Sequence, residues 1–524
     1  MRKLLERIRN NKKFFIYGVL LILVAAIVTR LYQLGVRPLH HDEGMLAYFA
    51  WKLASYREYI YTPQIHGPIL FYIGAAVFKI FGESDFTVRL PSAIFSIILV
   101  ILPFCTGKLL SGRQKFILSI FFLFSPLLMY FGRFLVHTAI VPVFVFLFLF
   151  NAYGFARKPS SDRLIYTFLS LALTFGVSEV TYIILASFVA AGFGAYLLDR
   201  RWGRGYFSRI FNFFKTNPWE ILKALVVFIL AYVAIYSVFF TSLDSLIIGV
   251  PNPFNPSNGL GFWLVQHSKR LGGQPWYYYF ILFALYEPLA LFGYLGAVIY
   301  YPTKKRIFPI FLILFALFNV VIFSVAGEKF PWLALNSLVP LYIISAYFIG
   351  EFIIVTKGVG KIIFFVVLVI LIVYQALSGI RLSFINSYNT NEMAVYVQTP
   401  KAINEQFKKM SSHCAHAGCI LIDKDISWPM SYVFRDNGNL FDPASLAVGQ
   451  GVEYIIAENR AKIDGKMDLN DWDIRDIQLR DWWVPPDYPE GYSFKNLVKY
   501  VFLRQIWTEH GGYSIIILQR KNLL

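Results

Sequence analysis

Charged side chains are scarce. They make up 15% of 524 residues against 57% hydrophobic ones, and mean hydropathy is +0.56. That ratio excludes a soluble domain with a polar skin, so most of the chain faces lipid. Cysteine is nearly absent, with three residues, which excludes a disulfide-stapled scaffold. Acidic residues number 31 against 49 Lys and Arg, leaving a formal charge of +18. These cations sit in short clusters between apolar runs, as the positive-inside rule requires, so the excess charge reads as membrane topology and not as a nucleic-acid surface. No Walker phosphate loop, dinucleotide glycine fingerprint or zinc-protease motif occurs. Internal repeats, low-complexity tracts and lipidation motifs are missing too.

Long apolar runs are what the chain does have. The first, Phe14 to Leu34, follows a basic stretch and lacks a small-residue cleavage site, so it reads as a retained signal anchor. Further runs lie at Leu90 to Leu110, Phe116 to Gly132, Ala139 to Phe155, Leu164 to Val177 and Ile183 to Leu198. Five more follow at Ala224 to Phe240, Tyr279 to Tyr300, Ile307 to Val325, Ala334 to Ile354 and Ile362 to Leu377. The span-length rule therefore predicts about eleven transmembrane helices. With the basic N-terminus cytoplasmic, every loop that falls inside carries Lys or Arg. Counting Ile69 to Phe81 as a full span would invert all later loops, so it reads as a juxtamembrane or re-entrant helix.

After residue 377 the hydrophobic pattern breaks into short runs, Cys419 to Ile422, Glu453 to Ala457 and Ser514 to Leu518. These predict strands of a mixed α/β domain. The expected organisation is a transmembrane catalytic domain over residues 1–377, with a first outer loop at 35–89, and an extracytoplasmic domain over 378–524. The expected location is a multi-pass plasma-membrane protein with its N-terminus inside and its C-terminal domain outside.

The chemistry gathers in the outer loops. Asp42 and Glu43, in His40-His41-Asp42-Glu43-Gly44, stand where an apolar span ends, and charge beside lipid is costly. They can supply a general base or a metal-binding carboxylate, or an N-cap for the following helix. His40, His41 and His66 lack tight metal-ligand spacing. Arg133 and His137 are four residues apart and can share a helix face, where the pair could hold an anion; an interfacial Arg can also merely snorkel. Glu179 and Glu287 are nearly isolated carboxylates at span ends. His267, Arg270 and Trp276 mix cations with rings, and Glu328, Lys329 and Trp332 follow between two later spans. A Lys ammonium binds phosphate as a point charge, although Lys329 can also pair with Glu328. Cys414 and Cys419 read as a local disulfide or a metal knuckle, and an oxidising outer face favours the disulfide. An outer-face site has no nucleotide supply, so group transfer there needs a lipid-carried donor.

Several motifs point to a family. The Asp-Glu pair after the first helix, His66-Gly67-Pro68, Phe81-Gly82-Glu83-Ser84-Asp85 and Arg89-Leu90-Pro91 resemble the GT-C superfamily of membrane glycosyltransferases, which includes protein O-mannosyltransferases and aminoarabinose transferases. Gln274-Pro275-Trp276, Gly327-Glu328-Lys329-Phe330-Pro331-Trp332, Tyr396-Val397-Gln398-Thr399 and Trp428-Pro429 are similar to a prokaryotic mannosyltransferase-like subfamily, some members of which are labelled flippase-activity-associated. The chain departs from the pattern in two places. No acidic residue stands near His137 or Thr138, and Trp482-Trp483 is followed by Val484, which disfavours transfer of a whole oligosaccharide to Asn.

The resemblance implies transfer of a single sugar from a polyprenyl-phosphate donor to a glycan, lipid or protein acceptor on the extracytoplasmic face. Asp42 is then the base and Glu43 the acceptor or metal ligand. Arg133, Lys329, Arg270 and His66 are the candidates for the donor phosphate. His41, His137, Glu179, His267, Trp276, Glu287, Glu328 and Trp332 are candidates for substrate contact. A divalent cation, Mg or Mn, is the one cofactor it leaves open. The alternative function is a non-catalytic lipid-linked glycan transporter or flippase accessory.

Overall fold

A computed structural model describes residues 12–269, 274–414, 416–484 and 493–521. Arg270 lies outside them. By contacts the chain divides into two units. Unit 1 holds residues up to Leu34, Tyr59–Ile73 and Arg89–Ile385; unit 2 holds Gly35–Glu58, Gly74–Val88 and Asn386–Leu524.

Unit 1 is helical. Among the described residues, seven helices are long and apolar enough to cross a membrane, or eight when one bent pair counts as a single span. The protein is thus a multi-pass membrane protein. This count is below eleven for local reasons. The run Phe116 to Gly132 breaks at Ser125, whose Oγ caps a new helix at Pro126–Phe131, with Pro126 in the first-turn position that tolerates it. The helices Phe15–Leu31 and Ser161–Val177 have 17 residues each, one short of a full span by the length applied. In the run Tyr279 to Tyr300, Glu287-Pro288 separates Tyr278–Tyr286 from Pro288–Lys304 at a bend of 106°.

The two breaks are tied together. The Glu287 carboxylate, fully buried, accepts from Ser125 Oγ at 2.7 Å, from the Leu127 N–H at 3.0 Å and from Tyr342 Oη. Tyr342 Oη in turn accepts from Gln375 Nε2 at 2.7 Å. A carboxylate inside a membrane protein is tolerated only with such partners, so Glu287 closes a structural network and faces neither of the cavities described below.

Unit 2 is built on a five-stranded sheet. Its strands are β1 (Ile420–Asp423), β2 (Gly438–Phe441), β3 (Tyr454–Ala457), β4 (Trp472–Trp482) and β5 (Gly511–Arg520), in the order β2-β1-β3-β5-β4. β1 pairs in parallel with β2 and β3, whereas β5 runs antiparallel to β3 and β4. The period-2 alternation gives two cores. Ile420, Ile422, Ile456 and Ile517 pack with Phe407 and Met410 of the helix Lys401–His413. Leu421, Ile455, Ile516 and Leu518 pack with Trp472 in the other core. Each such buried side chain stabilises the unit by about 1.5–3 kcal/mol. Cys414 and Cys419 are disulfide-bonded at the entry to β1.

Residues far back in the chain complete unit 2. The helix His41–Tyr56 packs on the short helix Met430–Val433. Gly44 makes the approach feasible, since a Cβ there would lie 2.4 Å from Pro429 Cβ. Two ion pairs add to it, Arg435–Glu83 at 2.7 Å and Lys408–Asp85 at 2.6 Å.

Candidate active site

In unit 2 the site begins at a helix start. His40 is the N-cap of His41–Tyr56, and Glu43 is the reciprocal member of a capping box. The Asp42 N–H donates to His40 Nδ1 at 3.0 Å, so the ring's proton sits on Nε2, which donates to Tyr396 O at 2.8 Å. Burial holds this imidazole below its usual value, that is, neutral. The cap is therefore His40, and Asp42 is left for other work.

Glu43 is turned inward. Its carboxylate is fully buried, lies 2.7 Å from Arg37 Nη2 and accepts the His40 N–H at 3.1 Å. A group so enclosed positions the helix start, in place of the acceptor- or metal-binding part expected of it. Asp42 keeps about a quarter of its side chain open, with Oδ2 3.9 Å from His40 Nδ1 and Oδ1 3.8 Å from His41 Nε2. His41 Nδ1 is 3.3 Å from Trp428 O, and burial pushes its imidazole down to about 4. The same carbonyl accepts from Arg480 Nη2 at 3.3 Å. The Arg480 guanidinium faces the Asp42 charge, and its Nε is buried with no partner. Burial, with Asp42 nearby, pushes Tyr396 up to about 12.

These donors do not assemble a metal site. Glu43 is committed to Arg37 and His40, and Asp42 alone offers open oxygens. Among the described residues, the one cluster of three His, Cys, Asp or Glu ligand atoms within 4.8 Å is Cys414, Cys419 and Glu453, and its two sulfurs are bonded to each other.

In unit 1 the centre is Glu179, between the helices Ser161–Val177 and Thr181–Trp202. It is buried and accepts from Tyr61 Oη at 2.5 Å, and its other oxygen is 2.9 Å from His66 Nδ1. Burial and this carboxylate push the Tyr61 phenol up, so it stays a donor. With Nδ1–H given to Glu179, His66 has Nε2 left. Its ring lies parallel to Trp263 at 4.8 Å, with His137 on a ring contact at 3.6 Å.

The backbone at His66 is strained, with φ +65°, a left-handed conformation that a residue with a Cβ rarely adopts. The next residue explains why the turn is tight: a Cβ on Gly67 would lie 2.3 Å from Gly176 O, and the Gly67 N–H donates to Val177 O at 3.2 Å. Behind it, His137 is buried with both ring nitrogens unpartnered. Strain and unsatisfied polar atoms held together by packing are marks of a functional site.

These groups head a cavity of about 500 Å³. His66, Glu179, Trp263, His267, Glu328 and Trp332 line its polar part. Its long wall is apolar, from Ile183 and Ala186 of one membrane-spanning helix and Val321, Ile322 and Val325 of another. His267 Nδ1 accepts the Gly327 N–H at 2.9 Å, an approach open only to glycine, because a Cβ there would lie 1.9 Å from His267 O. Trp332 stacks on Phe330 at 4.8 Å.

The remaining candidates fall elsewhere in unit 1. Arg133 donates to the carbonyls of Thr29, Arg30, Tyr32 and Gln33 at 2.7–3.2 Å, so its guanidinium caps the end of the first helix. Lys329 is buried, and its Nζ donates to Ala326 O at 2.7 Å. Trp276 is two-thirds exposed and lines no cavity described here. Tyr61, Arg37 and Arg480 were not anticipated from the sequence. Arg37 had a usable signal, a lone cation beside a span; Tyr61 and Arg480 had none.

Comparison with known proteins then sets this geometry in context. Over 95% of its length the chain superposes on 97% of ArnT from Cupriavidus metallidurans bound to undecaprenyl phosphate, with a TM-score of 0.55 and 13% identity. The chain has the GT-C fold. The apo state of the same ArnT gives a TM-score of 0.54 at 11% identity, covering 96% of this chain and 98% of that one. Residues 65–236 of the GT-C chain match the family model described as dolichyl-phosphate-mannose-protein mannosyltransferase. That segment runs from His66 past Glu179. No curated protein matches the chain in sequence.

Proposed function

We propose that the chain is a glycosyltransferase that moves one sugar, of the hexose or mannose type, from a polyprenyl-phosphate carrier. The acceptor is a glycan, lipid or protein hydroxyl on the extracytoplasmic face. The observation that carries this reading is the unit 1 cavity, whose apolar wall is made by membrane-spanning helices and whose head is His66, Glu179 and Trp263. An isoprenoid chain suits the wall, and a phosphate with an attached sugar suits the head. Both the match of residues 65–236 to the mannosyltransferase model and the undecaprenyl phosphate held by ArnT support this donor class.

In the reaction the bond between the anomeric carbon and the phosphate oxygen breaks as the acceptor oxygen bonds to that carbon. The acceptor hydroxyl is a poor nucleophile until its proton is taken, and Asp42 is the open carboxylate for that task. Its imidazole neighbours are held neutral by burial, so neither hands it a proton. The departing phosphate gains charge, which a donor fixed in a dry site stabilises best. His66 is placed for this: Glu179 on Nδ1 supports the ring's positive form, and Nε2 is left for a phosphate oxygen. Lys329 is the second cation we assign to the phosphate.

Polar groups deep in unit 1, such as Glu287, Tyr342 and Gln375, bond to one another and line neither cavity, which favours the enzyme over the transporter. The test is sugar transfer by the purified protein in lipid from a panel of polyprenyl-phosphate hexoses, wild type beside Asp42→Asn. We expect transfer by the wild type and a loss of about 10²–10⁴-fold in the variant, with donor binding kept. If both bind donor and neither releases lipid phosphate with native lipids and cell-surface acceptors present, the enzyme reading fails.

A further inference from the structure

A second cavity in unit 1 differs in chemistry from the first. It encloses about 670 Å³ between the loop 102–109, the end of the helix Val141–Arg157 and the start of Ser161–Val177. Its floor is apolar, from Phe146, Leu147 and Phe150. Its rim carries four cations, Lys108, Arg157, Lys158 and Arg163, and its lining includes no Asp or Glu. Like charges grouped without a counter-charge repel one another, and an anion relieves that repulsion.

The rim is held in place by the backbone. Arg163 Nη1 donates to Gly154 O, and Arg157 Nη1 donates to Lys108 O at 3.4 Å. Gly154 is the cradle for the first contact: a Cβ there would lie 2.7 Å from Arg163 Nη1. Positive loops are required by membrane topology, and helix C-termini attract cations. Neither requirement produces a cavity with an aromatic floor beneath the charges.

We propose that this cavity is a lipid-phosphate site separate from the one assigned to the sugar donor, taking a lipid that ends in a phosphomonoester. The head, carrying about −1.5 to −2 charges at neutral pH, meets the two arginines and two lysines. The first part of the chain lies along Phe146, Leu147 and Phe150. Arginine suits such a head because its planar donors meet two phosphate oxygens at once. The volume lies within the range of ligand pockets, about 300–1,000 Å³. The proposal stands whether or not the glycosyltransferase reading does.

The chain carries its own reporter. Cys105 lines this cavity and is exposed, and the other two cysteines are bonded to each other, so a maleimide reads this place alone. The full-length protein is placed in phosphatidylcholine nanodiscs, and the Cys105 labelling rate is measured with phosphatidic acid, phosphatidylglycerol or inorganic phosphate added. We expect phosphatidic acid to slow labelling by about tenfold once it is near ten times its dissociation constant. Phosphatidylglycerol at the same mole fraction and inorganic phosphate should do much less. Lys158→Gln, at an exposed side chain that folding tolerates, should restore at least half of the lost rate. Gly154→Ala, which crowds Arg163 and leaves every charge in place, should also weaken protection. Labelling indifferent to phosphatidic acid overturns the site. Equal protection by phosphatidylglycerol overturns it in favour of general attraction to an anionic surface, and equal protection by inorganic phosphate overturns the lipid as occupant.

Discussion

Two buried carboxylates, one in each unit, have opposite kinds of partner. Glu43 faces the Arg37 guanidinium, which is always charged, and closes a helix cap. Glu179 faces an imidazole and a phenol, one of which changes charge near neutral pH. A permanent cation fixes a carboxylate into the structure, whereas a titratable partner leaves it able to respond to a ligand. The same residue type at the same depth therefore serves as a post in one place and as part of a site in the other.

The largest effect that checks this contrast is on stability. Glu43→Gln takes away the charge facing a buried guanidinium, and breaking such a pair costs about 3–5 kcal/mol. Glu179→Gln keeps hydrogen-bonding capacity and should cost about 1–3 kcal/mol. Thermal unfolding in detergent gives both values, and a reversed order would break the comparison. Activity should rank them the other way per unit of stability lost, with Glu179→Gln lowering donor turnover at least about tenfold in protein that is still folded.

Tyr61→Phe comes next, because it removes one hydrogen bond to a charged group, about 1.5–3 kcal/mol. The loss should appear more in KM for donor than in the unfolding temperature, since the Glu179–His66 contact survives.

A pH series sharpens the contrast further. His40 and His41 are both depressed in the folded chain, His41 to about 4, against an ordinary 6.5. Below 6.5 the unfolded chain binds more protons than the folded one, so stability is full above that value. It declines as pH falls from about 6.5 towards 4. His41→Asn should flatten the decline, and a wild-type unfolding temperature level across this window would refute the assignment. Trp276→Ala is the smallest change: this exposed ring should move stability within about ±0.5 kcal/mol and leave transfer unchanged, whereas Trp263→Ala should weaken donor binding.

Much of the fold was legible because its signals are local. The short apolar runs at Cys419, Glu453 and Ser514 became β1, β3 and β5, since fully buried strands read as unbroken hydrophobic stretches. β4 escaped notice because an edge strand with Arg475, Asp476 and Gln478 exposed has no such run. The breaks at Ser125-Pro126 and Glu287-Pro288 carried proline and capping signals, but hydropathy averaged over a full span hides them. The site was half legible. Asp42, His66 and Glu179 announced themselves by standing as polar residues beside apolar ones. Their partners did not, since Tyr61 is 118 residues from Glu179 and nothing local ties them. Arg133 shows the opposite error: a cation at a span end had a carbonyl-capping task open to it, and it took that one.

The division of the chain has a consequence for how the protein is made. The polypeptide passes between the two units at residues 34/35, 58/59, 73/74, 88/89 and 385/386. The His41 that bonds Trp428 O leaves the ribosome 387 residues before its partner. At roughly 5–20 residues per second, that is a wait of about 20–80 s, during which Asp42 and its neighbours have no sheet to join. A fragment starting at residue 386 would lack the helix that carries Asp42, and a nascent chain halted before residue 428 would hold the base without its setting. Assembly of this half of the site is therefore post-translational by construction, and ribosome-stalled chains of graded length should gain resistance to proteolysis at residues 35–58 only after the last strand has emerged.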